Sequence, residues 1–229
     1  MKLTLTIDIG GSGVKAMVLD DTGKPVTERN RIKTPQPPKP EAIIETIIEL
    51  AAQQGDFHRI SVGFPGVVRQ GVTYSAVNLD SDWVGFDLAT ALSQRLEKPT
   101  KVVNDADMQG FGAISGQGVE LVITLGTGFG SALFSQGKLV PNLEAGHHVF
   151  HKGKTYEQLL GRAGMKKDGK KKWNHRLKKA LKSLEHLFNC NTLYIGGGEA
   201  KNINFDLPSN VKIVPNVAGL LGGIALWRD

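Results

Sequence analysis

A single cysteine, Cys190, stands in 229 residues, so the chain can form no intramolecular disulfide and build no Cys-rich zinc site. That usage fits a reducing compartment. Long apolar runs are missing as well. Nothing approaches the roughly 20 apolar residues that a membrane-spanning helix requires, and the opening MKLTLTIDIGG lacks the apolar block of a signal peptide. The expected location is therefore the cytoplasm, with no membrane partner. Disorder has no basis in the composition, since 40% hydrophobic and 22% charged residues describe an ordinary soluble globular chain. The length suffices for one large domain or two modest ones, each with a core of its own. What the sequence holds in excess is positive charge in one place. The stretch MKKDGKKKWNHRLKKALKSL, residues 165–184, carries nine Lys or Arg and one Asp, in a chain whose formal net charge is +6. Such a run permits a polyanionic partner, whether nucleic acid, anionic lipid or a phosphate polymer, without choosing among them.

Periodicity along the chain alternates between strand and helix. Leu3 to Ile9 alternates apolar and polar residues, the period of a half-buried strand. Gly10 to Gly13 then make a turn, and Val14 to Leu19 predict the second arm of a hairpin. After a third strand and the Pro-rich loop Thr34 to Pro40, the residues Ile43, Ile44, Ile47, Ile48 and Ala51 recur at helical spacing. Ile60 to Phe64 predicts a buried strand that runs into the forced turn Pro65-Gly66. Leu88, Leu92 and Leu96 mark a helix stopped by Pro99. Lys101 to Asn104 predicts a strand delivering Asn104 and Asp105 to a helix over 106–114.

The opening pattern then returns. Leu121 to Leu125, the glycine turn Gly126 to Gly130, and Ser131 to Phe134 repeat strand, glycine turn and strand about 115 residues on, the mark of a duplicated unit. A basic helix follows, then strands at 192–195 and 211–214 and a terminal helix over 217–227. The economical reading is two α/β lobes around a central cleft. One lobe comprises residues 1–104 with 217–229, and the other residues 105–216.

The glycines of LGTGFGSALF do not make a dinucleotide fingerprint, because that motif must open a helix and this one opens a strand. A glycine-rich hairpin can instead present backbone N–H groups as an anion nest, or be no more than a tight turn. Two such turns at equivalent places in a repeat favour the nest. Asp8 beside GGSG suggests Mg²⁺ between carboxylate and phosphate, held through water, or else an Asp that bonds its own turn. Asn104 and Asp105 read equally well as helix caps and as cleft-facing groups, with Asp105 a base for phosphoryl transfer. Asp107 reads as a first-turn helix acid.

Taken together, DIGGSGVKA, GFPGVV, NLDSDWVG, VVNDAD, LGTGFGSALF, PNLEAGHH and YIGGG resemble the ROK family of sugar kinases, within the actin-like ATPase superfamily. DIGGSGVK, NLDSDW and LVPNLEAGHH resemble most its polyphosphate glucokinase branch. The resemblance implies a two-lobed, ribonuclease H-like α/β fold. It also implies transfer of a terminal phosphoryl group from polyphosphate, with ATP open as a second donor, to the 6-hydroxyl of glucose. It makes Asp105 the general base and assigns the sugar to Gly66, Asn78, Asn104, Asp105, Glu144, His147 and Glu157. Donor phosphates fall to Asp8, Gly10, Gly11, Ser12, Gly13 and Lys15 on one lobe, and to Gly126, Thr127, Gly128, Gly130, Gly197 and Gly198 on the other. The implied cofactor is Mg²⁺ at Asp8, and the implied assembly a homodimer. Many ROK proteins carry a Cys-rich zinc motif after Glu-x-Gly-His, but here HKGKTYEQ follows with no cysteine. Three histidines can bind zinc, yet His147 has its sugar role and His148 and His151 read as surface residues, so no zinc is expected.

Within the basic stretch, Trp173, Leu177, Ala180, Leu181 and Leu184, continued by Leu187 and Phe188, form one helical stripe that predicts core. The lysines fall away from it, either as a solvated face or as a track. A long polyphosphate rewards a row of cations beyond the transfer site, so Lys166, Lys167, Lys170, Lys171, Lys172 and Arg176 are expected to lead the donor to the glycine turns. Three other readings compete. One is an ATP-dependent ROK hexokinase acting on glucose, mannose or an N-acetylated hexose. Another is a ROK transcription regulator, which needs an N-terminal helical module for which a first strand at residue 3 leaves no room. The last is a nucleic-acid-binding module, which leaves the Asp, Asn and Glu set unexplained, so no nucleic acid partner is expected.

Overall fold

The computed structural model describes residues 2–76, 79–215 and 218–228. Asn78, expected at the sugar, and Val217, expected to open the terminal helix, lie outside the described residues. The chain divides into two compact units, Met1–Gly112 with Val217–Asp229, and Ala113–Asn216. The division falls after the helix that carries Asp105 rather than before it.

The first unit is built on a five-stranded sheet ordered β3-β2-β1-β4-β7. Its strands are β1 (Thr4–Gly10), β2 (Gly13–Leu19), β3 (Asn30–Ile32), β4 (Arg59–Phe64) and β7 (Thr100–Asn104). A small hairpin of β5 (Val68–Arg69) and β6 (Val72–Thr73) lies outside it. The hairpin arms β1 and β2 are antiparallel, while β1, β4 and β7 run parallel. Leu5, Ile7 and Ile9 pack with helices α1 (Pro40–Ala52) and α2 (Leu88–Leu96) in one core. Proline at the start of α1 sacrifices no helical hydrogen bond, and Ile43, Ile44, Ile47 and Leu50 turn inward from it, each worth about 1.5–3 kcal/mol when fully buried. Asp87 caps α2 by accepting from the Thr90 N–H.

The alternation of β1 predicts a half-buried strand, but Thr4 and Thr6 are as buried as their apolar neighbours. The other face of the sheet is covered by α3 (Asp105–Phe111), α7 (Ala218–Leu221) and the 3₁₀ segment Gly222–Trp227. Threonine suits that face because its hydroxyl finds a partner there. Thr6 Oγ1 donates to the Met17 carbonyl, and Ser61 Oγ donates to the Gly223 carbonyl while accepting from Trp227 Nε1.

The second unit repeats the plan, with the sheet ordered β10-β9-β8-β13-β14. Its strands are β8 (Val119–Leu125), β9 (Phe129–Ser135), β10 (Lys138–Val140), β13 (Thr192–Gly196) and β14 (Val211–Ile213). Again β8, β9 and β10 pair antiparallel in succession, while β8, β13 and β14 run parallel. A short hairpin, β11 (Val149–His151) and β12 (Lys154–Thr155), leads into α4 (Tyr156–Leu160). Helices α5 (Arg162–Asp168) and α6 (Lys170–Phe188) follow.

Four sequence expectations require correction. The basic stretch is two helices rather than one, broken at Gly169, whose φ of 79° and ψ of 156° belong to a region that favours glycine. The apolar stripe of α6 is core from Trp173 to Leu184, but Leu187 is exposed because the helix ends one residue later, where the chain turns left-handed at Asn189. The helix carrying Asp105 stops at Phe111 rather than 114, since Gly112 abuts the Ala218 carbonyl, where no β-carbon fits. The terminal helix is a single α-turn followed by 3₁₀ structure. Consecutive Gly222 and Gly223 propagate an α-helix poorly and allow the chain to pass close to Met108 and Thr6.

Candidate active site

In the first unit the glycine turn closes the β1–β2 hairpin, and the register sets Asp8 opposite Lys15. Lys15 Nζ lies 2.6 Å from Asp8 Oδ2, so Asp8 pairs across the hairpin rather than bonding its own turn. Lys15, expected at the donor, is engaged by that carboxylate. Asp8 Oδ1 accepts no hydrogen bond among the described residues. Gly11 and Ser12 are exposed at the tip. The carbonyls of the turn are held from behind, with Arg31 Nη2 donating to Ser12 O at 2.6 Å and Thr34 Oγ1 to Gly10 O at 2.5 Å. A β-carbon at Gly13 would collide with the Arg31 guanidinium.

At the same end of this sheet, two strands across from β1, β7 passes into α3. Asn104 caps the helix, its Oδ1 accepting from the N–H groups of Ala106 at 2.8 Å and Asp107 at 3.3 Å. Its Nδ2 donates to the Gly66 carbonyl at 3.1 Å. Two residues expected at the sugar are thereby tied together, and Gly66 can be only glycine because a β-carbon would strike the Ser75 carbonyl. Asp105 follows as the first residue of α3 and accepts from Ala106 N at 2.8 Å. A carboxylate in the first turn is stabilised as an anion by the helix dipole. Asp107, two residues on, is 2% exposed and thus a buried first-turn acid rather than a solvated one.

The second unit gathers Glu144, His147 and Glu157 into a cluster. Glu144 Oε2 stands 3.4 Å from His147 Nε2. Burial pushes the Glu144 carboxyl above the usual range, His147 opposes that shift, and the negative charge of Glu157 adds to it. Gly146 lies against the Phe129 carbonyl, where no β-carbon fits. Ser131 Oγ anchors the segment by accepting from Ala145 N and donating to Leu143 O. These contacts give Glu-x-Gly-His its physical sense: the glycine lets the turn lie on β9, and the two polar residues project from it.

Glu157 also reaches the second glycine turn. Its Oε2 accepts from Phe129 N at 3.2 Å, and a β-carbon at Gly128 would collide with the same carboxylate. Thr127 is exposed at the tip, and Gly130 N donates to Thr124 Oγ1. Gly126 O accepts from Arg162 N at 2.9 Å. Gly197, with φ of 86°, packs onto the backbone of Leu125 and so adjoins the same turn, with Gly198 beyond it in open space. Among the described residues no three His, Cys, Asp or Glu side chains converge as metal ligands.

The profile of the ROK family matches residues 4–154. The chain belongs to the ROK family. It is 36% identical over 233 residues to the polyphosphate glucokinase of Mycobacterium leprae, an alignment covering 96% of this chain and 70% of that one. With the polyphosphate glucokinase of Mycobacterium tuberculosis the identity is 32%, over 94% and 88% of the two chains. The crystal structure of the inorganic polyphosphate/ATP-glucomannokinase from Arthrobacter sp. strain KM superposes with a TM-score of 0.90 at 34% identity, over 100% of both chains. The fold is thus that of the ROK sugar kinases, an actin-like α/β fold with two mixed sheets.

Sequence reasoning on this ROK chain missed two guanidinium groups. Arg31 backs the first glycine turn from β3. Arg162 follows α4, touches the second turn through its own N–H, and places Nε 2.6 Å from Glu199 Oε1, beside Gly197 and Gly198. An arginine immediately after a glycine, in "LLGRAG", was the available signal, although only the fold shows which loop it meets. The lysine track divides in the structure. Lys166, Lys167, Lys170, Lys171 and Lys172 are exposed, whereas the Arg176 side chain is 12% exposed and pairs with Asp168 Oδ2 at 2.6 Å. The guanidinium holds the Asp168 carboxyl below its usual range. Arg176, read from spacing as outward-facing, therefore faces inward because a carboxylate is there to receive it.

Proposed function

We propose that this ROK protein transfers the terminal phosphoryl group of inorganic polyphosphate, and with ATP as a second donor that of the nucleotide, to the 6-hydroxyl of glucose. The observation that supports this most directly is the position of Glu157, which belongs at once to the acid and histidine cluster suited to sugar hydroxyls and to the glycine turn suited to phosphate. A pocket that pairs each hydroxyl of a polyol rejects an epimer, because a misplaced hydroxyl leaves a buried polar group unpaired. Glu144, His147, Glu157, Asn104, Asn78 and the Gly66 backbone take that part.

Asp105 is the base. As the sugar oxygen bonds to phosphorus and the bridging P–O bond breaks, the hydroxyl proton passes to the Asp105 carboxylate, and the shortened polyphosphate leaves with the bond's electron pair. Gly10 to Gly13, the tip of the second turn at Thr127 and Gly128, and Gly197 to Gly198 offer backbone N–H groups to the phosphates. Asp8, whose Oδ1 is open, would hold Mg²⁺ through water, and the ion would supply charge neutralisation for the phosphoryl oxygens. We place the protein in the cytoplasm as a homodimer, which size-exclusion chromatography with light scattering checks.

The test is a coupled glucose 6-phosphate assay with Mg²⁺, glucose and either long-chain polyphosphate or ATP. Turnover with polyphosphate is expected, and its loss in Asp105→Asn with glucose binding retained. Turnover with ATP alone would reduce the protein to a conventional hexokinase, and none with either donor would refute the kinase reading.

A further inference from the structure

Among the charged surfaces, one is concave. A cavity of about 210 Å³ opens between the tip of the β11–β12 hairpin and one face of α6. Lys172, His175, Arg176 and Lys179 line it from the helix, their spacing of three and four residues placing them on one face. His151 and Lys152 complete it from the hairpin, where Lys152 holds a left-handed φ of 50° just before Gly153. The carboxylate of Asp168 is already shared by Arg176 at 2.6 Å and Lys172 at 3.5 Å. Among the described residues no carboxylate pairs with Lys152, His175 or Lys179. Like charges gathered this closely repel, well inside a Debye length of about 8–10 Å, unless an anion lies among them.

We infer that this cavity is a subsite for phosphates of the polyphosphate chain remote from the one transferred. The inference rests on the donor reading above for the identity of its ligand, and on the cavity for its place. Two features favour a bare phosphate polymer over nucleic acid. The one aromatic ring in the lining, Phe150, has its face stacked on Tyr156 at 4.5 Å, so it offers no platform for a base, which single-stranded nucleic acid binding exploits. The rest of the lining is cationic or imidazole, with no carboxylate or amide side chain to read a base edge. Continuity with the transfer region is covalent: the hairpin runs directly into α4, whose Glu157 lies on the second glycine turn. Lys152 and Lys179 are thus new donor-binding residues, outside the lysines that the sequence singled out.

The test compares the wild type with the double variant Lys152→Ser, Lys179→Ser, both exposed positions whose replacement leaves the core untouched. Binding of end-labelled long-chain polyphosphate is read by fluorescence anisotropy, and KM for polyphosphate and for ATP in the coupled assay. The subsite requires roughly tenfold weaker polyphosphate binding in the variant, a flatter dependence on salt, and an unchanged KM for ATP. Unaltered polyphosphate affinity would overturn it. So would a single-stranded DNA oligomer that binds as tightly and loses as much, since the site would then be a general polyanion patch. If the variant loses polyphosphate affinity but the wild type transfers no phosphoryl group from polyphosphate, the donor reading falls and the subsite stands.

Discussion

In the proposed sugar cluster, Glu144 should carry the pH response. Its carboxyl is raised first by burial and then by Glu157, against the influence of His147. It therefore takes up a proton at a higher pH than the usual glutamate value of about 4.3. Once neutral it loses acceptor capacity toward a hydroxyl and its attraction to His147, so KM for glucose should rise as pH falls through that raised pKa. Glu157→Gln removes one of the raising charges and should move the acid limb of the KM profile downward in pH. An unmoved limb would show that the two carboxylates are not coupled. Glu120 presents the opposite balance. Burial alone would raise it, but donors from Ser115 N and Oγ, Gly116 N and Tyr194 Oη outweigh that and hold it below the usual range. With its folded pKa depressed, Glu120 contributes stability above its unfolded pKa, and that contribution is lost as pH falls through the folded value. Glu120→Gln turns an amide NH₂ toward those donors and should lower the unfolding free energy by about 1–3 kcal/mol. In denaturant titrations at neutral pH and near pH 4, the variant's deficit should shrink on the acid side.

Elements were legible where a local rule had no competitor. Helix α1 has both its proline start and two isoleucine pairs at helical spacing, and the two glycine hairpins announce themselves by repetition. Strand β10 escaped notice because three residues carry too little periodicity, and its equivalence to β3 emerges only from the sheet order. The break at Gly169 was written as Asp-Gly but outvoted by the surrounding helix formers. At the site, the motif residues could be named, but Arg31 and Arg162 depend on which strand or loop lies behind a turn, which no local pattern encodes. Two glycines separate backbone strain from crowding. Gly169 has open space where its β-carbon would be, so Gly169→Ala should cost about 1–3 kcal/mol through φ alone. Gly222 faces the Met108 carbonyl at less than contact distance from such a carbon, so Gly222→Ala must push the start of the 3₁₀ segment from α3 at a cost of about 1–3 kcal/mol or more. Thermal unfolding of both variants, with a Gly198→Ala control where nothing intrudes, checks the distinction: only the control should melt as the wild type does.

At the scale of the molecule, two sheets share one strand order, yet charge is not duplicated with it. Each unit has a glycine turn held by an arginine, through the guanidinium of Arg31 in the first and the backbone N–H of Arg162 in the second, whereas the nine cations of residues 165–184 belong to the second unit alone, on α5 and α6. On the proposed function, duplication would account for paired phosphate contacts at the two turns, and the asymmetric run would remain for a donor longer than a nucleotide. The two donors should consequently differ in their response to salt. Under the proposed function ATP would meet the turns and few cations beyond them, so its KM should change little as ionic strength rises. Long polyphosphate releases counterions along its length when it meets a row of lysines, so the logarithm of its KM should climb steeply with the logarithm of salt concentration. Shortening the polyphosphate should flatten that slope toward that of ATP. Equal slopes for ATP and for every chain length would mean that α5 and α6 are a solvated face, and that the donor is recognised at the glycine turns alone.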